Sequence, residues 1–147
     1  MTDVISQPAI LRNPSPGPVN PYTPMAPEEI ECPLAERFER IAAQYAAQPA
    51  VKTPEQVWTY DELNRQANRL ARAILANGGG AGRPIALYLS TGYAKALSVI
   101  AVLKIGGAYV PVDFNDPPER AQAMLRDAES ALMVTEMACL DRAWGLA

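Results

Sequence analysis

The stretch that decides the fold is Leu103-Lys104-Ile105-Gly106-Gly107-Ala108-Tyr109-Val110-Pro111-Val112-Asp113. Its first part closes a run, residues 93–105, that is apolar almost all round, which predicts a deeply buried helix. Gly106 and Gly107 end that helix, because glycine takes up helix-terminating backbone angles without a Cβ clash. Ala108 to Val112 then reads as a strand. Pro111 has no N–H to donate, so the strand lies near a sheet edge or is irregular. Asp113 falls at the carboxyl end of that strand, the side on which open α/β sheets hold ligands. It reads either as a contact near a site or as a carboxylate fixing the following loop, and the second reading is preferred.

The pattern extends in both directions. Upstream, Pro84 to Leu89 is a short apolar strand. Downstream, Asp116, Pro117 and Glu119 have the spacing of a capping box, with Asp116 as the cap, and predict a helix over 117–128. Ala131 to Thr135 follows as a strand, and 137–145 is left open between a helix and a frayed end. Helices alternating with strands imply right-handed crossovers and a parallel sheet covered on both faces. The fold class is therefore α/β, a partial three-layer sheet with helices on both sides.

Earlier in the chain, Thr59-Tyr60-Asp61-Glu62 is a second capping box, with Trp58 and Leu63 placed for a hydrophobic staple. Leu63, Ala67, Leu70, Ala71, Ile74 and Leu75 form one apolar stripe, while Arg65, Arg69 and Arg72 face out. Asn77-Gly78 ends this helix. The glycines of Gly78-Gly79-Gly80-Ala81-Gly82 invite comparison with a phosphate loop. Such a loop follows a strand and opens a helix, whereas here the order is helix, glycines, strand. The stretch reads as a helix C-cap and tight connection. Further upstream, residues 33–47 have helical spacing at Leu34, Phe38, Ile41, Ala42 and Tyr45, and Ala50 to Thr53 with Gln56 to Trp58 suit a hairpin turning at Pro54-Glu55.

Residues 1–33 carry 8 of the 14 prolines, so this leader reads as extended and polyproline-like, an arm rather than a ligand for an SH3-like domain. The net charge of −3 gives no electrostatic case for nucleic acid or an anionic membrane as partner. The chain has no histidine, which excludes Ser-His-Asp and Cys-His nucleophiles and histidine zinc sites. Cys32 and Cys139 match no metal or redox spacing and read as reduced thiols of a cytoplasmic protein. No secretory signal and no membrane span is read in the sequence.

Two of these segments carry a family resemblance. Thr59-Tyr60-Asp61-Glu62-Leu63 resembles the first core motif of the amino-acid adenylation domains of nonribosomal peptide synthetases, within the adenylate-forming synthetases and ligases. Leu103 to Asp113 resembles the second. Asn64, Ala67, Asn68, Leu70 and Ala71 fit the segment after the first motif, and Pro117, Glu119, Arg120, Met124, Leu125 and Asp127 the segment after the second. The resemblance runs from about Leu34 to Thr135. Ile105 stands where the family usually has alanine, Asp116 where an aromatic is common, and Gly79 and Arg83 where valine and aspartate are usual.

The resemblance implies an enzyme that activates a carboxylic acid, usually an amino acid, with Mg-ATP and passes it to a carrier-protein thiol. It also implies that the triphosphate loop, the ribose-binding acid, the acid near Mg²⁺, the catalytic lysine and the specificity residues lie beyond Ala147. Residues 34–147 are thus expected to be the N-terminal portion of a truncated adenylation domain. No catalytic, cofactor-binding or metal residue is assigned, and no cofactor is expected on this piece alone. The expected partner is the remainder of the domain or a complementing chain, with a carrier protein in the complete family. The alternative is a non-enzymatic interaction module.

Overall fold

The structure, a computed structural model, describes residues 26–54, 56–90, 92–130 and 132–146. The polyproline reading of the leader falls mostly outside them, as do Glu55 of the hairpin turn and Ala131. In the described end of the leader, Pro27–Glu29 forms one 3-10 turn, with proline at its first position, where a missing N–H costs nothing.

From Cys32 onward the chain forms a compact unit. Helix α1 spans Leu34–Gln44, and strands β1 (Pro49–Lys52) and β2 (Val57–Thr59) pair antiparallel. Helix α2 spans Tyr60–Ala76. Then come β3 (Pro84–Leu89), α3 (Gly92–Lys104), β4 (Ala108–Asp113), α4 (Pro118–Asp127), β5 (Leu132–Thr135), a 3-10 turn at Met137–Cys139 and the short α5 (Leu140–Trp144). Strands β3, β4 and β5 form a parallel sheet in the order β4-β3-β5. Pro111 therefore sits on an edge strand, where its missing N–H is tolerated.

Strand β3 is the centre of this unit. Ile85 to Leu89 are all buried, and their side chains alternate between the two faces of the sheet. Ile85, Leu87 and Leu89 pack with Ala67, Ala71 and Ile74 of α2 and with Ala101 and Val102 of α3. Tyr88 packs on the other face with Val112, Ala121 of α4, Cys139 and Ala143 of α5. Burying a side chain such as Ile85 or Leu89 contributes about 1.5–3 kcal/mol. The sheet is thus covered by helices on both faces, as the order of elements implied.

Helix α2 begins as read. Glu62 N donates to Thr59 Oγ1 at 3.2 Å and Thr59 N donates to Glu62 Oε2 at 2.9 Å. That backbone bond, with the Thr59 hydroxyl beside it, holds the Glu62 carboxyl below its ordinary value. Leu63, Ala67, Ala71 and Ile74 are buried, Arg65, Arg69 and Arg72 are exposed, and Leu75 drifts off the stripe to 51% exposure. Trp58 stacks flat on Tyr93, ring centroids 4.2 Å apart, which ties the hairpin to α3. Lys104 at the end of α3 pairs with Glu39 and lies 5.9 Å from the Phe38 ring centroid, fixing α1.

Two expectations need correction. Asp116 does not cap α4. Pro117 is the N-cap, extended at φ −56° and ψ 141°, and the helix starts at Pro118. A residue before proline is pushed out of the helical region, so Pro118 forces Pro117 to stay outside the helix. Asp116 instead approaches Arg120 at 3.5 Å. Helix α3 is also less deeply buried than its composition predicts: of its residues only Ser98, Ala101 and Val102 are buried. A helix lying on one small sheet is covered along the stripe that meets the sheet. Leu97, Val99 and Ile100 are partly buried at the flanks of that stripe.

Candidate functional site

Parallel pairing brings three strand ends to one edge. Leu89 of β3 is level with Asp113 of β4, and Tyr88 with Thr135 of β5. Open α/β sheets bind ligands at this carboxyl edge. The residues that follow the strands there are knitted to one another. Ser90, just past β3, donates to Glu136 Oε1, just past β5, from its backbone N–H at 2.6 Å and its hydroxyl at 2.5 Å. Thr135 Oγ1 donates to the Tyr88 carbonyl at 2.9 Å.

Asp113 closes the loop after β4. Its Oδ1 accepts from the backbone N–H of Asn115 at 2.8 Å and from the Asn115 side-chain amide at 3.1 Å. The backbone bond, with the Asn115 amide and the Lys95 charge adding to it against a smaller desolvation of the exposed carboxylate, lowers the Asp113 pKa. This geometry matches the loop-fixing reading of that carboxylate. Next along the loop, the Arg142 guanidinium lies 4.4 Å from the Phe114 ring centroid and donates to the Phe114 carbonyl at 3.3 Å, which holds α5 against the same edge. Ser90 and Glu136 carry no local motif. The only signal that finds them is their position immediately after two strands of a parallel sheet.

The glycine stretch occupies the opposite end. Gly82 N donates to the Gly106 carbonyl at 3.3 Å, beside the first paired residues of the strands, Pro84 and Ala108. Gly78 has φ +85°, its N–H reaches the Leu75 carbonyl, and the Gly79 N–H reaches the Ile74 carbonyl. These are the two crossed bonds of a Schellman helix ending. The loop turns a helix into a strand at the amino edge of the sheet, as the order of elements requires. Among the described residues no group of three or more His, Cys, Asp or Glu gathers to hold a metal ion. No helix among them is long and apolar enough to cross a membrane.

The fold and its edges define an α/β protein built on an open parallel sheet. The chain belongs to the AMP-binding enzyme family, whose sequence profile matches residues 38–146. It is 42% identical over 113 residues to novobiocin biosynthesis protein H of Streptomyces niveus, a match covering 77% of this chain and 19% of that protein. Among solved structures it resembles the nonribosomal peptide synthetase FmoA3 with α-methyl-L-serine-AMP bound, at 29% identity and a TM-score of 0.72, over 75% of this chain and 12% of that one. It shares its fold with the N-terminal subdomain of Klebsiella oxytoca NpsA, at 23% identity and a TM-score of 0.67, over 71% of this chain and 27% of that one. The chain thus corresponds to part of an adenylation domain and spans about a fifth of the curated relative.

Proposed function

We propose that this chain is the N-terminal scaffold of an amino-acid adenylation domain, running from about residue 34, after a proline-rich leader. The complete domain would form an aminoacyl-adenylate from an amino acid and Mg-ATP, release pyrophosphate, and load the acyl group onto a carrier-protein thiol in the cytoplasm. The observation that carries this reading is the family match over residues 38–146, together with the likeness to a synthetase that holds an aminoacyl-AMP. The geometry supports a scaffold role. Asp113 and Glu136, the carboxylates at the carboxyl edge, are both engaged in ordering loops. The glycine stretch is a helix ending at the far edge. Stabilising the charge that develops on a transferring phosphoryl group needs positioned cations or N–H groups, and these would come from outside this piece.

The test is ATP–pyrophosphate exchange with the purified 147-residue chain over a panel of amino acids. No exchange is expected from the chain alone, and exchange should appear when the rest of an adenylation domain is supplied. Exchange by the isolated chain would overturn the scaffold reading. A chain that neither exchanges nor binds such a complement, yet unfolds cooperatively as a soluble monomer, would favour an interaction module instead.

A further inference from the structure

Tyr88 is a buried side chain whose polar end the fold leaves unmatched. The residue is 3% exposed, and its ring centroid lies 5.7 Å from that of Phe114. Its backbone carbonyl accepts from Thr135, but its hydroxyl has no hydrogen-bond partner among the described residues. A buried tyrosine hydroxyl usually finds one, because leaving water without a replacement bond is unfavourable. Tyr88 does line a pocket of about 220 Å³ between α4 and α5. Pro118, Ala121 and Leu146 give that pocket apolar walls, and Asp116 and Arg142 bring it one charge of each sign.

The two charges line one pocket without pairing with each other. Asp116 approaches Arg120 at 3.5 Å, and the Arg120 side chain is 70% exposed, so that pair is weak. Arg142 donates from Nη1 to the Phe114 carbonyl, and its remaining N–H groups make no hydrogen bond among the described residues. A ligand with only a carboxylate would bring it up to Asp116, and one with only an ammonium would bring it up to Arg142. A molecule that carries both charges can meet each with its opposite, while a short aliphatic body rests on the apolar walls. At about 30 Å³ for a water, the pocket has room for roughly seven groups of that size, which suits a compact molecule such as alanine.

We propose that this pocket binds a small zwitterion. Arg142 takes the carboxylate, Asp116 takes the ammonium, and the Tyr88 hydroxyl donates to the carboxylate from the buried side. The bound molecule ties the start of α4 to α5. The inference does not rest on the scaffold reading above, because every group it uses belongs to this chain.

The experiment titrates the full chain with L-alanine and follows backbone amide shifts by nuclear magnetic resonance. Propionate and ethylamine, each of which is alanine without one of its charged groups, are titrated in parallel. Saturable shifts at residues 116–121 and 142–146 are expected with alanine, and about tenfold weaker binding of either fragment. Tyr88→Phe keeps the ring and removes the hydroxyl. It should weaken alanine binding about tenfold while the thermal midpoint holds or rises. Asp116→Asn changes a side chain outside the apolar core, so it tests the site even where Tyr88→Phe fails to fold. It should close the gap between alanine and propionate with the far-ultraviolet circular dichroism unchanged. The absence of saturable alanine shifts at these residues would overturn the proposal. Propionate binding to the parent chain as tightly as alanine would make the pocket a plain carboxylate site and overturn the choice of a zwitterion. A folded Tyr88→Phe chain that binds alanine like the parent would also overturn it, since the hydroxyl would then have no part in the site.

Discussion

Gly79 shows how one position can carry a packing demand that sequence comparison hides. The family resemblance puts valine there, and a run of glycines suggests only a looser loop. In the structure, a Cβ on Gly79 would overlap Ile74 Cγ2 and stand 3.0 Å from the Ile74 carbonyl oxygen and 3.2 Å from Leu132 Cδ2. Its N–H also completes the end of α2 by reaching that same carbonyl. The glycine is there because Ile74, 3% exposed, fills the space a side chain would need. Gly80, one residue on, has nothing within 4 Å of its own added Cβ. Gly79→Val should therefore cost roughly 1–3 kcal/mol, the usual range for overpacking. Gly80→Ala should stay within about 0.5 kcal/mol of the parent. Urea unfolding of the two variants checks this, and a Gly79→Val protein as stable as the parent would show that Ile74 yields easily.

The three helix-to-strand connections of the parallel sheet use one device. Helices α2, α3 and α4 each end in crossed backbone bonds: Gly78 to Leu75 with Gly79 to Ile74, Gly106 to Leu103 with Gly107 to Val102, and Glu129 to Arg126 with Ser130 to Leu125. In each case the first donor has positive φ: +85° at Gly78, +65° at Gly106 and 51° at Glu129. The first two connections were legible in the sequence because glycine marks them. The third was not, because glutamate rarely adopts that conformation and nothing local announces it. Glu129 is exposed, with positive φ set against the cost of its Cβ. Glu129→Gly should stabilise the protein by roughly 1 kcal/mol, even though glycine in the unfolded chain has more freedom to lose. A thermal midpoint unchanged or lowered in this variant would mean that side-chain contacts of Glu129 outweigh the strain. The start of α4 was misread for a related reason. Asp116 has the cap spacing, but the pair Pro117-Pro118 decides where a helix can begin. The carboxyl edge was legible only as a place. Asp113 could be read from its strand, whereas the Ser90–Glu136 bond joins residues 46 apart and exists only once β3 and β5 are adjacent.

At the scale of the whole molecule, stability should be graded outward from β3. Its residues Ile85 to Leu89 are at most 4% exposed, and both of its edges are paired. The face shared with α2 and α3 has the larger apolar cluster, and α2 is 17 residues long, capped at both ends. The opposite face depends on Tyr88, Val112 and Ala121, closed by Cys139 and Ala143 from the segment after β5. That segment is weakly held. Helix α5 has five residues and no side-chain cap, and Met137 and Trp144 are 83% and 71% exposed. A helix this short is not stable by itself and persists only by docking. Its anchors are Ala143 in the core and Arg142 on Phe114. Local opening of α5 uncovers only the part of the Tyr88 face that Ala143 closes and should need far less free energy than opening β3. Native-state hydrogen exchange should find the slowest amides in β3, intermediate rates in α2 and α3, and the fastest rates among structured residues in α5. Arg142→Ala should speed exchange in α5 far more than in β3, because the contact holds that helix directly and reaches the central strand only through the Phe114 ring, 5.7 Å from that of Tyr88. Equal acceleration in both would show instead that α5 and the sheet open together, as one cooperative unit.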